Sequence, residues 1–388
     1  MITVTGFLKN IFSVSLCLLL SGCNFVGHLE KTEIVGMLSK RALGGKGTLL
    51  KNGKILISGE SQQNVLVSCG SCDKSLASEV FSPINNQLTE APSVKTIGID
   101  HVTSLLQDGS VLLTGGNGTC CQQQVNGTEI YDPSLNVFHS TAKMLAPRAN
   151  HTATVLNDGT VLIVGGNPRQ KLNTGNAYKL AELFDPKSKT FKKLPETNYE
   201  HVRHIAILLK NGDVLIAGGG HAHAELFDFK KNIFIPLPDM TTPRTSHSAV
   251  VLKNDNVLII SGMQGEQILN SGELTDTIEE YDYKRKRFRS IKNMDCQRVG
   301  ATSLLLPNDK VLVIGGWPKN DQCLSDIVVY DYKQNKISTF ANMQKPRSDH
   351  FSILTQGNKI IIGGGVENAH ALQPIFEIEA LTLNTQNE

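Results

Sequence analysis

The feature that most restricts this sequence is a module of about fifty residues that returns seven times. Its clearest copy runs from Arg148 to Phe191. Residues 151–156 read as a short strand, and Asp158-Gly159 as a tight turn. Residues 161–164 form a second strand that stops at Gly165-Gly166. Asp-Gly suits a two-residue hairpin with positive φ at both positions. The unbroken run Val161-Leu162-Ile163-Val164 is expected of a strand buried on both faces. A third strand ends at Asp185-Pro186, and a fourth begins near Phe191. Four antiparallel strands in such a length make one blade of a β-propeller.

The other copies keep this register. The first position of the paired glycines recurs at Gly59, Gly115, Gly165, Gly218, Ser261, Gly315 and Gly364, at spacings of 56, 50, 53, 43, 54 and 49. A turn signal precedes each one, from Asn52-Gly53 to Gly357-Asn358. Third strands follow as SEVFSP, TEIYDP, AELFDP, AELFDF, EEYDY and VVYDY. Seven positions after each aromatic stands an apolar residue: Leu88, Phe138, Phe191, Phe234, Phe288 and Ile337. No stretch beyond the leader holds a 3.6-residue period for twelve residues, so helices are not expected.

These marks resemble the kelch repeat, a Gly-Gly pair, then a Tyr, then an aromatic six or seven residues on. The chain departs from it where Gly59-Glu60 and Ser261-Gly262 replace the pair and where Phe, Leu or Ile stands in place of the kelch Trp downstream. The expected fold is all-β: a seven-bladed β-propeller of four-stranded antiparallel blades, with its ring closed by an N-terminal strand. Blades are expected near 42–97, 98–147, 148–200, 201–243, 244–297, 298–346 and 347–383. The seventh module runs out after Phe376-Glu377-Ile378 and lacks a fourth strand. Met stands four residues before Arg in AKMLAPR, PDMTTPR, KNMDCQR and ANMQKPR, and Met37 stands four before Arg41 in VGMLSKR. Residues 31–41 are therefore expected to supply the missing strand.

Residues 1–22 read as an export leader, with Lys9 ahead of a ten-residue apolar core. Leu20-Ser21-Gly22-Cys23 resembles the bacterial lipobox, which implies acylation of Cys23 and attachment to a membrane. By the same resemblance, Asn24 implies sorting to the outer membrane. Residues 23–30 would be a short tether, and residues 31–388 the propeller. Strand alternation puts the tether on the face where each fourth strand begins, close to the membrane, with the blade links pointing away. The mature chain carries 37 basic and 36 acidic residues and shows no basic stripe, which argues against a nucleic-acid partner. Nothing in the sequence calls for association, so a monomer is expected.

The links between blades carry the candidate site. His101, His151, His204, His247 and His350 stand where the innermost strands begin, with Gly45 and Ala301 in the other two blades. Three residues earlier come Arg148, His201, Arg244, Arg298 and Arg347. Two readings stand for these residues. In one, Arg148, Arg244, Arg298, Arg347 and the histidines line the channel mouth and hold a ligand, whose charge would be negative because guanidinium matches carboxylate. In the other, a residue repeated in five blades does structural work that each blade needs. His221 and His223, with His201 and His204, raise the idea of a metal, but no Cys, Asp or Glu completes a recognised set. Neither metal nor cofactor is expected.

Cysteine usage fits an oxidising compartment. Cys296 and Cys323 fall on one face of blade six and are expected to form a disulfide. Cys69 and Cys72, in the loop of blade one, and Cys120 and Cys121, in that of blade two, are expected to pair across blades, with connectivity open; a zinc site is the weaker alternative, because adjacent cysteines suit one tetrahedral ion poorly.

A binding module for a protein or glycan is the reading these residues favour. A resemblance to the exported kelch sialic-acid epimerases gives the alternative of a sugar-active enzyme, against which stand seven blades instead of six and the lack of an isolated acid–base pair. A copper-radical oxidase resembling galactose oxidase is set aside, because the chain ends with its propeller.

Overall fold

The computed structural model describes residues 30–39, 45–59, 76–118, 125–167, 179–265, 273–319, 322–368 and 373–383. Seven sheets stand around a common axis, each with four antiparallel strands ordered first to fourth from the inside outward. In blade three the strands are Thr152–Val155, Val161–Val164, Ala181–Asp185 and Thr190–Lys193. The first strands pack side by side round the ring, and Phe351–Leu354 of blade seven meets Lys46–Leu49 of blade one. The seven-bladed propeller expected from the repeat is the fold observed.

The reason lies in the apolar patterning. Second strands such as Val161–Val164 and Val257–Ile260 are fully buried, because each lies between two blades. Their side chains pack on the neighbouring sheet, as Leu209, Leu215 and Ala217 do on Val257, Ile259 and Tyr281. Burying each such aliphatic side chain is worth about 1.5–3 kcal/mol. The seven-residue interval after the third-strand aromatic also has a structural cause. Phe184 lies directly opposite Phe191 across the ladder, with ring centroids 4.8 Å apart, and Tyr131 faces Phe138 at 4.9 Å. Such tilted cross-strand pairs stabilise the outer half of a blade.

The inner hairpins differ from the two-residue turn expected. Gly159 has φ +88°, while Asp158 stays outside the positive region. Leu156 and Thr160 close a three-residue loop, and Asp158 Oδ1 accepts from Thr160 N at 2.9 Å. The carboxylate favours this form because it caps the turn itself.

Two N-terminal strands close the ring. Strand β1 (Glu30–Lys31) runs parallel to the outer edge of blade six, pairing with Ala341 and Asn342. Strand β2 (Glu33–Met37) then pairs antiparallel with Glu377–Thr382 and becomes the fourth strand of blade seven. Thr32, between them, donates its N–H to Asn342 O at 3.0 Å and its hydroxyl to Glu379. The closing strand was expected, but its second attachment to blade six was not. Ala341 and Asn342 end their strand just before the link to blade seven, so Glu30 lies on the flank of the ring near the link face. Residues 23–29 of the expected tether lie outside the described residues.

Candidate functional site

The links into blades three, five and seven have the form Arg-x-x-His, that into blade six has Arg298 with Ala301, and all four arginines turn inward. Arg148 Nη1 donates to Gly165 O at 2.9 Å, Arg244 to Ser261 O at 2.8 Å, Arg298 to Gly315 O at 2.9 Å and Arg347 to Gly364 O at 3.0 Å. In every case the acceptor lies 17 residues downstream. The other guanidinium nitrogen meets a third-strand carboxylate: Glu182 at 3.0 Å, Glu279 at 2.5 Å, Asp326 at 2.5 Å and Glu379 at 2.5 Å. The Arg148, Arg244 and Arg347 side chains are fully buried, so an uncompensated charge there would be costly. Burial draws the Arg244 and Arg347 guanidinium groups down, and Glu279 and Glu379 oppose it.

The same carboxylates also fasten the incoming link. Glu279 accepts from Thr241 N and Thr242 N, and Glu379 from Gln344 N and Lys345 N. Where blade two has Gly98 in place of Arg, Glu129 accepts from Lys95 N, Thr96 N and Thr96 Oγ1 instead. Arg148, Arg244, Arg298 and Arg347 therefore lie inside the blades as clamps between link and sheet. That geometry carries the structural reading of these four and leaves their guanidinium groups out of the open mouth.

The histidines face sideways. His101 Nε2 lies 2.7 Å from Ser58 Oγ, His151 2.8 Å from Thr114 Oγ1, His204 2.9 Å from Thr152 Oγ1 and His350 3.0 Å from Thr302 Oγ1. Each partner belongs to the preceding blade, so these rings staple neighbours together. His247 packs over Gly218 of blade four, where Ala217 offers no hydroxyl. Burial is the main cause that keeps all five neutral. It lowers His101 to about 4 and His247 and His350 to about 3, with His151 and His204 also well below the usual value. Nearby cations add to this: Lys46 for His101, Arg148 for His151, Arg244 for His247 and Arg347 for His350.

Residues that do reach the mouth come from the third place of each link, just before the histidine. Asp100, Asn150, Arg203, Ser246, Gly300 and Asp349 all take φ between 50° and 66°. This left-handed bend brings successive links into contact. Arg203 N donates to Asn150 O, Ser246 N to Arg203 O, Gly300 N to Ser246 O and Asp349 N to Gly300 O, at 2.9–3.0 Å. Backbone hydrogen bonds thus join blades three to seven in one arc around the aperture. Nothing in the sequence pattern marked this place, because its residue type changes from blade to blade. Its consistent offset from the histidine is the signal that locates it.

Blade four is the variant. His201 takes the arginine place, with Nδ1 2.7 Å from Gly218 O and Nε2 2.8 Å from Glu225 Oε1. His204, His221 and His223 do gather beside it, and Tyr199 stacks on His223 at 4.2 Å. Their polar atoms go to protein groups, His221 Nε2 to Glu200 O and His223 Nδ1 to Asp239. Among the described residues no three His, Cys, Asp or Glu side chains are grouped to hold a metal ion.

The expected Cys296–Cys323 disulfide is not formed. Cys296 is a half-buried free thiol, while Cys323 is buried against Met263, Val299 and Trp317 and donates to Ser348 Oγ at 3.5 Å. Sharing a face did not bring the two sulfurs together. Cys23, Cys69, Cys72, Cys120 and Cys121 lie outside the described residues.

A family model described as the β-propeller of tRNA wybutosine-synthesizing protein 4 matches residues 145–366, more than half of the sequence. The chain belongs to that β-propeller family. No curated protein matches it. Among solved structures it is similar to a fungal alcohol oxidase of the AA5 family in complex with copper. That match has 15% identity and a TM-score of 0.74 over 93% of this chain and 78% of the other. It is also similar to YjhT, at 16% identity and a TM-score of 0.56, over 78% of this chain and 98% of the other. At such identities the likeness concerns the fold, and this propeller's chemistry has to be read from its own mouth.

Proposed function

We propose that this chain is an exported, lipid-anchored binding module that presents its link face to a protein or glycan ligand. The observation that carries the reading is the division of labour in each link. The Arg and His places are buried and engaged inside or between blades, while the intervening third place varies and faces the aperture. A scaffold whose repeated residues hold the fold and whose variable residues meet solvent at one face is organised for recognition. The anchor rests on Leu20-Ser21-Gly22-Cys23. The test is an array of glycans and peptides probed with residues 24–388. Retention of a ligand without chemical change supports the module. Turnover of a bound acidic sugar moves the assignment to a sugar-active enzyme.

A further inference from the structure

Four charged side chains stand at the aperture: Lys46, at the start of the first strand of blade one, then Asp100, Arg203 and Asp349. Among the described residues no ion pair joins any of them to another. Asp100 accepts one bond, from Asn117 Nδ2 at 3.0 Å, and Arg203 gives one, from Nε to Asn150 Oδ1 at 3.3 Å. Asp349 is exposed to the aperture, with only a long contact from Ser348 Oγ at 3.4 Å. Its carboxylate is directed over Gly300, where a Cβ would come within 2.8 Å of Oδ1. Enclosure by the ring raises the Asp349 carboxyl, Arg203 and Lys46 draw it down, and Asp100 pushes it up.

Charges of both signs held apart on a rigid rim differ from a solvated surface. Asp349 and Arg203 sit on blades seven and four, at the end and near the start of the hydrogen-bonded arc, with no ion pair between them among the described residues. A ligand that satisfies both needs an anionic and a cationic end. A plain anion meets Asp100 and Asp349, and a plain cation meets Arg203 and Lys46; each would encounter repulsion. We propose that this aperture binds a small zwitterion of the amino-acid class, its carboxylate on Arg203 and its ammonium on Asp349. The proposal rests on the link face being the binding face.

The full chain in detergent micelles is titrated by calorimetry with each of the twenty free amino acids, and with acetate and methylamine as single-ended controls. At least one amino acid should bind saturably, and each control at least about tenfold more weakly. Arg203→Gln and Asp349→Asn should each weaken that binding about 10–100-fold, the loss of one charge-assisted hydrogen bond. Arg203→Lys, which retains the charge, keeps the test valid if the glutamine variant does not fold. Saturation by no amino acid overturns the proposal, as does binding indifferent to both substitutions or equal binding of acetate. In those cases retention of a glycan or peptide on the array still leaves the binding module standing, so the two ideas fail separately.

Discussion

His201 Nε2 lies 2.8 Å from Glu225 Oε1, both side chains fully buried, where blades three, five and seven place an arginine against a glutamate. One clamp is thus built with two chemistries. In each, the carboxylate faces donors from the link, and removing one partner strands a buried charge.

Arg244→Ala and Arg347→Ala should each destabilise the propeller by about 3–5 kcal/mol, because Glu279 or Glu379 then remains buried without its cation. Replacing both members, as in R244M with E279L, should recover much of that loss. Chemical denaturation checks both, and an unchanged midpoint in R244A would show that the clamp does not hold the blade.

The buried histidines should make the protein acid-sensitive. Their folded-state values are lowered, so folding favours the neutral ring, and the unfolded chain takes up protons first, near pH 6.5. Their contribution is complete above about pH 6.5 and is lost as pH falls toward about 3–4. Each contributes a slope of about 1.4 kcal/mol per pH unit inside that window. Melting temperature should fall between pH 6.5 and 4.5, and less steeply in His350→Gln. Parallel profiles for the two proteins would remove His350 from the account.

A chain starting at Leu43 should be far less stable than one starting at Glu30. It loses the ladder between β2 and Glu377–Thr382, each bond worth about 0.5–1.5 kcal/mol. It also loses buried Leu38 and Thr32, and the Ser39 hydroxyl on Glu79 at 2.6 Å. Ile34 and Met37 contribute little burial, being 51% and 56% exposed. The uncovered edge should promote aggregation. Equal melting temperatures would refute the ring closure.

Cys23→Ala should release the protein from membranes, as the Leu20-Ser21-Gly22-Cys23 sequence suggests. Detergent phase partitioning reads the outcome, and unchanged partitioning removes the anchor.

Blade number and ring closure were legible because both depend on periodicity. Gly59 to Gly364 mark the period, and VGMLSKR echoes the other fourth-strand ends, but one residue out of register: Leu38, whose N–H bonds Phe376 O as that of Met343 bonds Ser325 O, takes the buried methionine place, and Met37 is exposed. The role of the arginines was not legible, because it needs a partner far along the chain. Arg244 meets Ser261 O and Glu279, 17 and 35 residues on, and a Glu inside an apolar strand was the overlooked sign. Repetition drew attention to Arg148 and His151, while the mouth belongs to Asn150 between them. Cys296 and Cys323 show that sharing a face does not establish contact.

The crossing of β1 and β2 from one sheet to the next has a mechanical consequence. Tension drawn from Glu30 back along the axis of β1 would shear these bonds together and not open them one after another. Two blades share that force. The same segment that completes the circle would therefore divide an N-terminal pull between blades six and seven.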